Sequence, residues 1–390
     1  MLIRLSNTPR DYAWGSATLL AELEGREPSG RPEAEVWFGD HPGAPARVED
    51  GTGRTLDEVL EPERLPYLLK LLAAASPLSI QVHPSRPQAQ EGFAREDAEG
   101  VPRDAGHRNY RDDNHKPEVI VALRDGFQAL AGLRDLEDTR RLLDGLGAAA
   151  APLRGRLDGP DHAALLRGAI GLLLSGDAQD EVDAIIAAAT GADVPEFAAE
   201  LAVTRRLAAA APGDPGVVVA LLMNFVTLRA GEAVFVRAGV LHAYLAGLGV
   251  EIMSASDNVL RGGLTPKHVD VGELLDVLDA RSGPADVLEP MEDAPGVQRF
   301  APAVPDFALL RVRADRAGAV AVTGPAIAVC TDGRVTVRGE GGDEVDLAPG
   351  QALFASPEES PLEVSGDGEL FIAEPGATPD EPVRDARSAP

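Results

Sequence analysis

The stretch LSIQVHPSRPQ, residues 78–88, decides the reading of the chain. Taken as a strand, it puts Gln81 and His83 two positions apart, on one face of the pleat. A carboxamide and an imidazole turned inward from an apolar strand need solvent, a hydrogen-bond network or a metal. Runs of similar texture lie on either side: AEVWFGD at 34–40 and PEVIVAL at 117–123. Residues 1–125 therefore read as short strands and turns.

Between 126 and 215 the texture changes. LRDLEDTRRLLDGLG, DHAALLRGAIGLLL and DEVDAIIAAAT place apolar residues at helical spacing. This block reads as an inserted helical domain whose apolar stripes pack and carry no chemistry. Strand texture resumes at VVVALLMNFVTL (217–228) and AVFVRAGVLHAYL (233–245), and GELLDVLDA (272–280) reads as a short helix. SGPADVLEPMEDAPG (282–296) reads as a Pro- and Asp-rich connector. From about 301 to 376, alternating runs separated by turn signals form a second β unit, and 377–390 reads as a disordered tail. The expected fold is mainly β with an α-helical insertion. Two antiparallel jelly-roll units, of residues 1–125 with 216–300 and of residues 301–376, flank the helical block.

Composition narrows the function. The 390 residues suffice for two or three domains with sizeable cores. The formal net charge is −27, which argues against nucleic acid and anionic membrane as partners. No apolar run is long enough to span a bilayer, and MLIRLSNTPRDYAWGS lacks a signal-peptide core, so a cytoplasmic protein is expected. A single cysteine, Cys330, excludes an internal disulfide framework and multi-cysteine metal sites. Among 36 basic residues only Lys70, Lys116 and Lys267 are lysines. A lysine kept where arginine serves elsewhere suggests a need for a compact charge with a shiftable pKa.

The seven histidines end at His268, so the second β unit has no imidazole and is a poor transition-metal site. In the first unit, Glu118 opens a buried strand and His242 follows the pattern GExxxxxxGxxH. Gln81, His83, Glu118 and His242 together offer one carboxamide oxygen, two imidazoles and one carboxylate. That set suits a borderline divalent ion such as zinc, with room for water or substrate. His41, His107 and His162 read as ordinary surface or core histidines. His115 reads as a residue of a charged loop, and His268 is left outside the metal shell.

The motifs PLSIQVHP, DDNHKPEVIVAL, GEAVFVRAGVLHAYLAG and SASDNVLRGGLTPKH together resemble type I phosphomannose isomerases. YAWGS, EAEVWFGDHPGAP and LPYLLKLL fit the same family. The resemblance implies a cupin-like fold and one Zn2+ per chain, held by Gln81, His83, Glu118 and His242. It implies interconversion of mannose 6-phosphate and fructose 6-phosphate through a cis-enediol. It implies a substrate pocket with Trp14, Glu35, Lys70, Ser79 and Tyr244, and catalytic or phosphate-holding roles for Lys116, Asp257, Arg261 and Lys267. Arg237 stands where related sequences commonly have proline, which implies a less rigid turn. The insert EDAEGVPRDAGHRNYRDD (96–113) reads as a surface loop or pocket edge.

The chemistry of the residues leaves several roles open. Lys116, Glu251, Asp257 and Arg261 are alternative proton carriers, and Arg261, Lys267, Lys70 and Ser79 are alternative phosphate contacts. Asp257 also fits a structural turn residue in Ser-x-Ser-Asp-Asn. Two rival functions remain on the same fold: a metal-dependent oxygenase with iron on two His and one carboxylate, and a non-catalytic sugar-phosphate sensor. The expected partner is a small sugar phosphate, and the expected state is a monomer.

Overall fold

A computed structural model describes residues 1–377. The tail expected at 377–390 lies, but for its first residue, outside the described residues. The chain builds two antiparallel β units with a helical block set between strands of the first. No helix among the described residues is long and apolar enough to cross a membrane.

The first unit is a ten-stranded sheet organised around one long strand, His242–Ser254. Along its second half this strand pairs with Tyr67–Ala74 on one side and Glu118–Ala122 on the other. Near its start it pairs with Gln81 and with Phe127–Leu133. Tyr67–Ala74 is buried at every position, which is why its sequence YLLKLLAA shows no polar alternation beyond one lysine.

The helical block differs from its expected limits at both ends. Phe127–Leu133 is a strand of the first sheet, not the start of the insertion. The first helix, Leu136–Gly145, begins where Asp135 accepts hydrogen bonds from the amides of Glu137 and Asp138. At the other end, Gly216–Leu221 is helical and fully buried, so VVVAL is not a strand. A short run of β-branched residues buried on all sides carries no period to separate the two structures. The strand begins only at Met223.

The second unit packs an eight-stranded sheet against a four-stranded one. It recruits chain from outside 301–376. Leu2–Ser6 pairs with Ala352–Ala355, and Val297–Phe300 pairs with Ala308–Arg313. Part of the expected connector is therefore strand: Met291–Ala294 pairs with Val297–Phe300. A shared apolar core, including Phe38, Leu69, Val250, Leu309, Ile327 and Phe371, joins the two units.

Candidate metal centre and substrate cleft

The opening stretch is a strand for only two residues, Gln81–Val82. It lies between two other strands, with His242 and Arg261 both opposite Gln81. Residues directly opposed across a ladder point to the same face, so one row holds His242, Gln81 and Arg261. A second row runs Trp37, Lys70, Glu251 and Ile120. A third sets Glu118 between Met253 and Val236. After His83 the chain turns into a helix, Arg86–Ala98. Ser85 and Gln88 form its capping box and Pro87 sits in its first turn, a signal written in SRPQ.

His83, Glu118 and His242 converge, with one ligand atom from each within 4.8 Å of the others, and all three are buried. His83 Nε2 lies 3.2 Å from Glu118 Oε1, and His242 Nε2 lies 3.4 Å from Glu118 Oε2. The opposite nitrogens fix the tautomers. His83 Nδ1 meets the carbonyl of Asn258 at 2.8 Å, and His242 Nδ1 meets the carbonyl of Val240 at 3.2 Å. Carbonyls only accept, so each Nδ1 carries a proton, and in the neutral imidazole that ligates a metal each Nε2 then presents a lone pair. Two lone pairs thus face a carboxylate, and among the described residues His83 Nε2 has no hydrogen-bond partner. Acceptors brought together in a dry site repel one another unless a cation lies between them. Gln81 donates its Nε2 to Ser79 Oγ at 3.3 Å, which leaves its carboxamide oxygen free to accept. The donor set fits zinc.

Burial and the Lys116 ammonium push the His83 imidazole down to about 4, so it is neutral at pH 7. Burial opposes the charge on Glu118, yet the Lys116 ammonium beside it holds its carboxyl well below the usual range. Lys116 Nζ donates to Glu118 Oε1 at 2.5 Å, and Tyr244 donates its hydroxyl to Glu118 Oε2 at 3.3 Å. A second buried pair lies beside them. Lys70 Nζ is 2.9 Å from Glu251 and 3.8 Å from Glu35, and Trp37 Nε1 donates to Glu35 at 2.8 Å. Burial pushes the Glu251 carboxyl up, against the pull of Lys70.

These groups close the inner end of a cleft of about 590 Å3. Trp14, Glu35, Lys70, Ser79, Gln81 and Lys116 line it, and so do Asp257, Arg261 and Lys267. Tyr244 sits deeper, beside Glu118 and His242. All three lysines of the chain face this cleft or its floor. The mouth holds Arg111, Arg261 and Lys267, none of which forms a salt bridge among the described residues. Burial and the two arginines push the Lys267 ammonium down; burial and Arg111 do the same to Arg261. Unpaired, crowded cations in a chain of net charge −27 form a site for an anion.

Residues 2–136 match the family described as phosphomannose isomerase type I, catalytic domain. The mannose-6-phosphate isomerase of Escherichia coli is 37% identical, over 94% of this chain and 98% of that protein. The chain belongs to the type I phosphomannose isomerases. The Schizosaccharomyces pombe mannose-6-phosphate isomerase is 30% identical, over 95% of this chain and 98% of its own. The crystal structure of the apo enzyme from Salmonella typhimurium is 33% identical and superposes with a TM-score of 0.87, covering 96% of this chain and 99% of that one. A zinc-bound mannose 6-phosphate isomerase structure gives 0.88 at 33% identity, covering 96% and 100%. Isomerase is the activity of this family, and this chain shares it across almost its whole length.

Within this isomerase the structure sharpens several readings and overturns others. His41, read as ordinary, pairs its Nε2 with Asp257 Oδ2 at 3.3 Å. Its Nδ1 accepts the Gly43 amide at 3.0 Å, so the proton on Nε2 points at Asp257. The Asp257 side chain is therefore not the turn cap. Ser256, Asn258 and Asp112 make those bonds instead. His115 is not a ligand: it meets Asp306 of the second unit at 2.7 Å. The insert 96–113 is a pocket edge, since Arg108, Asn109 and Arg111 reach the cleft. Arg111 was missed because its cation could be recognised only once the fold set it beside Arg261. The Arg237 side chain is tied to Asp279 at 2.6 Å.

Proposed function

We propose that this chain interconverts mannose 6-phosphate and fructose 6-phosphate with one Zn2+ held by Gln81, His83, Glu118 and His242. The convergence of two unprotonated imidazole nitrogens on a buried carboxylate carries this reading. Bound there, zinc supplies a Lewis acid and a template for sugar oxygens. The chain's own residues supply the rest. Arg261 and Lys267, with Arg111, hold the phosphate at the mouth, where their charges are otherwise unmatched. Trp14, stacked on Tyr12 with ring centroids 5.7 Å apart, forms a wall for the sugar.

The proton must move between C1 and C2. Burial opposes the charge on Asp257, but His41 holds its carboxyl below the usual range, so it is ionised and oriented at the cleft surface. Asp257 takes the proton and returns it to the neighbouring carbon. Lys116, held beside Glu118, stabilises the negative charge that develops on the enediolate. Glu251 is paired with Lys70 and is not a free base. Glu35, Lys70, Ser79 and Tyr244 shape and bound the inner pocket.

One chain supplies every group named here. The reading therefore includes a cytoplasmic monomer acting on a small sugar phosphate, with neither nucleic acid nor membrane as partner; sedimentation tests the monomer. The main test is metal content together with isomerase assay before and after chelation. About one zinc per chain, with activity lost on chelation and restored by zinc, supports the proposal. Iron with no isomerisation would favour an oxygenase instead. Zinc with no turnover would favour a sensor. For the proton, Asp257→Asn should lower kcat with little change in KM, and should suppress exchange of substrate hydrogen with deuterated solvent.

A further inference from the structure

One tight turn touches both histidines of the metal cluster. It follows the strand Ala233–Val236 and leads into His242. The Gly239 amide donates to the His83 carbonyl at 2.9 Å. The Val240 carbonyl accepts the His242 Nδ1 proton at 3.2 Å. The same turn is braced from behind by Asp279. The Gly239 carbonyl accepts the Asp279 amide at 2.9 Å. Gly239 has φ +82°, and a Cβ there would meet the Asp279 Cβ at 3.0 Å and its amide at 3.1 Å. Only glycine lets the two segments approach this closely.

The Asp279 carboxylate then reaches the residue that opens the turn. Arg237 Nη1 donates to Asp279 Oδ2 at 2.6 Å. Arg281 fills the remaining lone pairs, with Nε 2.9 Å from Oδ1 and Nη2 2.6 Å from Oδ2. Arg237, Asp279 and Arg281 line a separate cavity of about 280 Å3 and take no part in the substrate cleft. Asp279 thus holds the turn twice, through its backbone at Gly239 and through its side chain at Arg237.

We propose that Arg237 and Asp279 are positioning residues for the metal: their ion pair locks the turn that orients His83 and His242, and so controls metal release. The inference rests on the zinc reading above. Partners that orient metal-ligating histidines change metal affinity by about 10- to 100-fold. Arg237 is 42% exposed, so its ion pair is partly screened and the lower end of that range applies. The same exposure makes the lock sensitive to salt, because mobile ions weaken exposed pairs. A brace built from apolar packing would not respond in that way.

The test follows zinc transfer from the loaded enzyme to a chromogenic chelator, at low and high salt. Variants are Arg237→Ala, Arg237→Lys, Asp279→Asn and the Arg237→Ala/Asp279→Asn double substitution. Arg237→Ala and Asp279→Asn should each release zinc about tenfold faster. Arg237→Lys should keep most of the native rate, and the double variant should be no faster than either single one. Salt should speed release from the native enzyme and leave the Ala and Asn variants nearly unchanged. At saturating zinc, KM for mannose 6-phosphate should stay at the native value. Release within twofold of native in Arg237→Ala, or a native rate that ignores salt, would overturn the proposal. If Asp279→Asn fails to fold, Arg237→Ala still decides the matter. A native enzyme that binds no zinc would instead overturn the metal reading.

Discussion

The two β units share an antiparallel architecture, yet their interiors differ. The second encloses an apolar core including Val312, Ala328, Cys330, Leu353, Leu370 and Ile372. Its buried carboxylates meet cations: Glu369 pairs with Arg311 at 2.6 Å, Glu374 with Arg299, and Glu359 with the Met1 ammonium at 2.6 Å. In the first unit, Glu118 faces two imidazole lone pairs and only one ammonium. Burying a charge is therefore not what marks the site, since both units do so. The mark is a set of acceptors turned toward each other, which is unstable unless something electropositive completes it.

The sharpest way to break this contrast is to remove the central carboxylate. Glu118→Gln keeps the shape and deletes the charge that binds the two histidines into one donor set. Zinc content should fall to background, and kcat should drop by about a thousandfold or more. Isomerisation and bound zinc should disappear together. Turnover that survives zinc loss would end the equivalence of donor set and active site.

A second contrast sets Lys70→Met against Leu370→Ala. Lys70→Met leaves Glu251 and Glu35 buried without their partner, a loss of about 3–5 kcal/mol. Glu251 already has its carboxyl pushed up by burial, and removing Lys70 pushes it further. A carboxyl raised in the folded state adds stability below its unfolded pKa and loses it as pH rises through the folded value. The destabilisation should therefore be largest at neutral pH and shrink toward acid. Leu370→Ala should cost about 2–5 kcal/mol at every pH and leave kcat/KM and zinc content at native levels. Urea unfolding at two pH values checks both.

A third prediction concerns the mouth of the cleft. Replacing Lys267, Arg261 or Arg111 by alanine should lower kcat/KM by about 10- to 100-fold each, the worth of one charge-assisted hydrogen bond. The loss should lie mainly in KM, and zinc content should not change. Steady-state kinetics with a phosphate-free sugar as control separates a phosphate clamp from a general defect, because the control should not respond.

Much of this was legible in the sequence, unevenly and for physical reasons. Gln81, His83, Glu118 and His242 could be grouped because each carries donor chemistry on or beside a recognisable strand. The three lysines stood out against a background of arginine. What could not be read were relations between distant segments. Leu2–Ser6 looks like any other strand, and only its pairing with Ala352–Ala355 assigns it to the second unit. VVVAL fits strand and helix equally until its neighbours bury every side. His41 gives no local hint of Asp257, 216 positions away. The capping box at Ser85 is local and readable, but it shares its stretch with the stronger strand and metal signals of Gln81 and His83.

The smallest expected effect tests whether the two units, so different inside, unfold as one. Cys330 is the chain's single cysteine and lies on the buried strand Ala326–Asp332. Burial pushes its thiol up to about 12, so it stays protonated at pH 8.5 and inert to thiol reagents until the strand opens. Alternate residues of that strand face different cores. Ile327 and Val329 pack into the core shared with the metal-bearing unit, whereas Ala328 and Cys330 face the second unit's own core. A shared core should couple the two openings. Zinc at about ten times its dissociation constant stabilises the first unit by about 1.4 kcal/mol, so it should slow Cys330 labelling about tenfold. Labelling that ignores zinc would mean that the second unit opens alone and that the shared core transmits nothing between them.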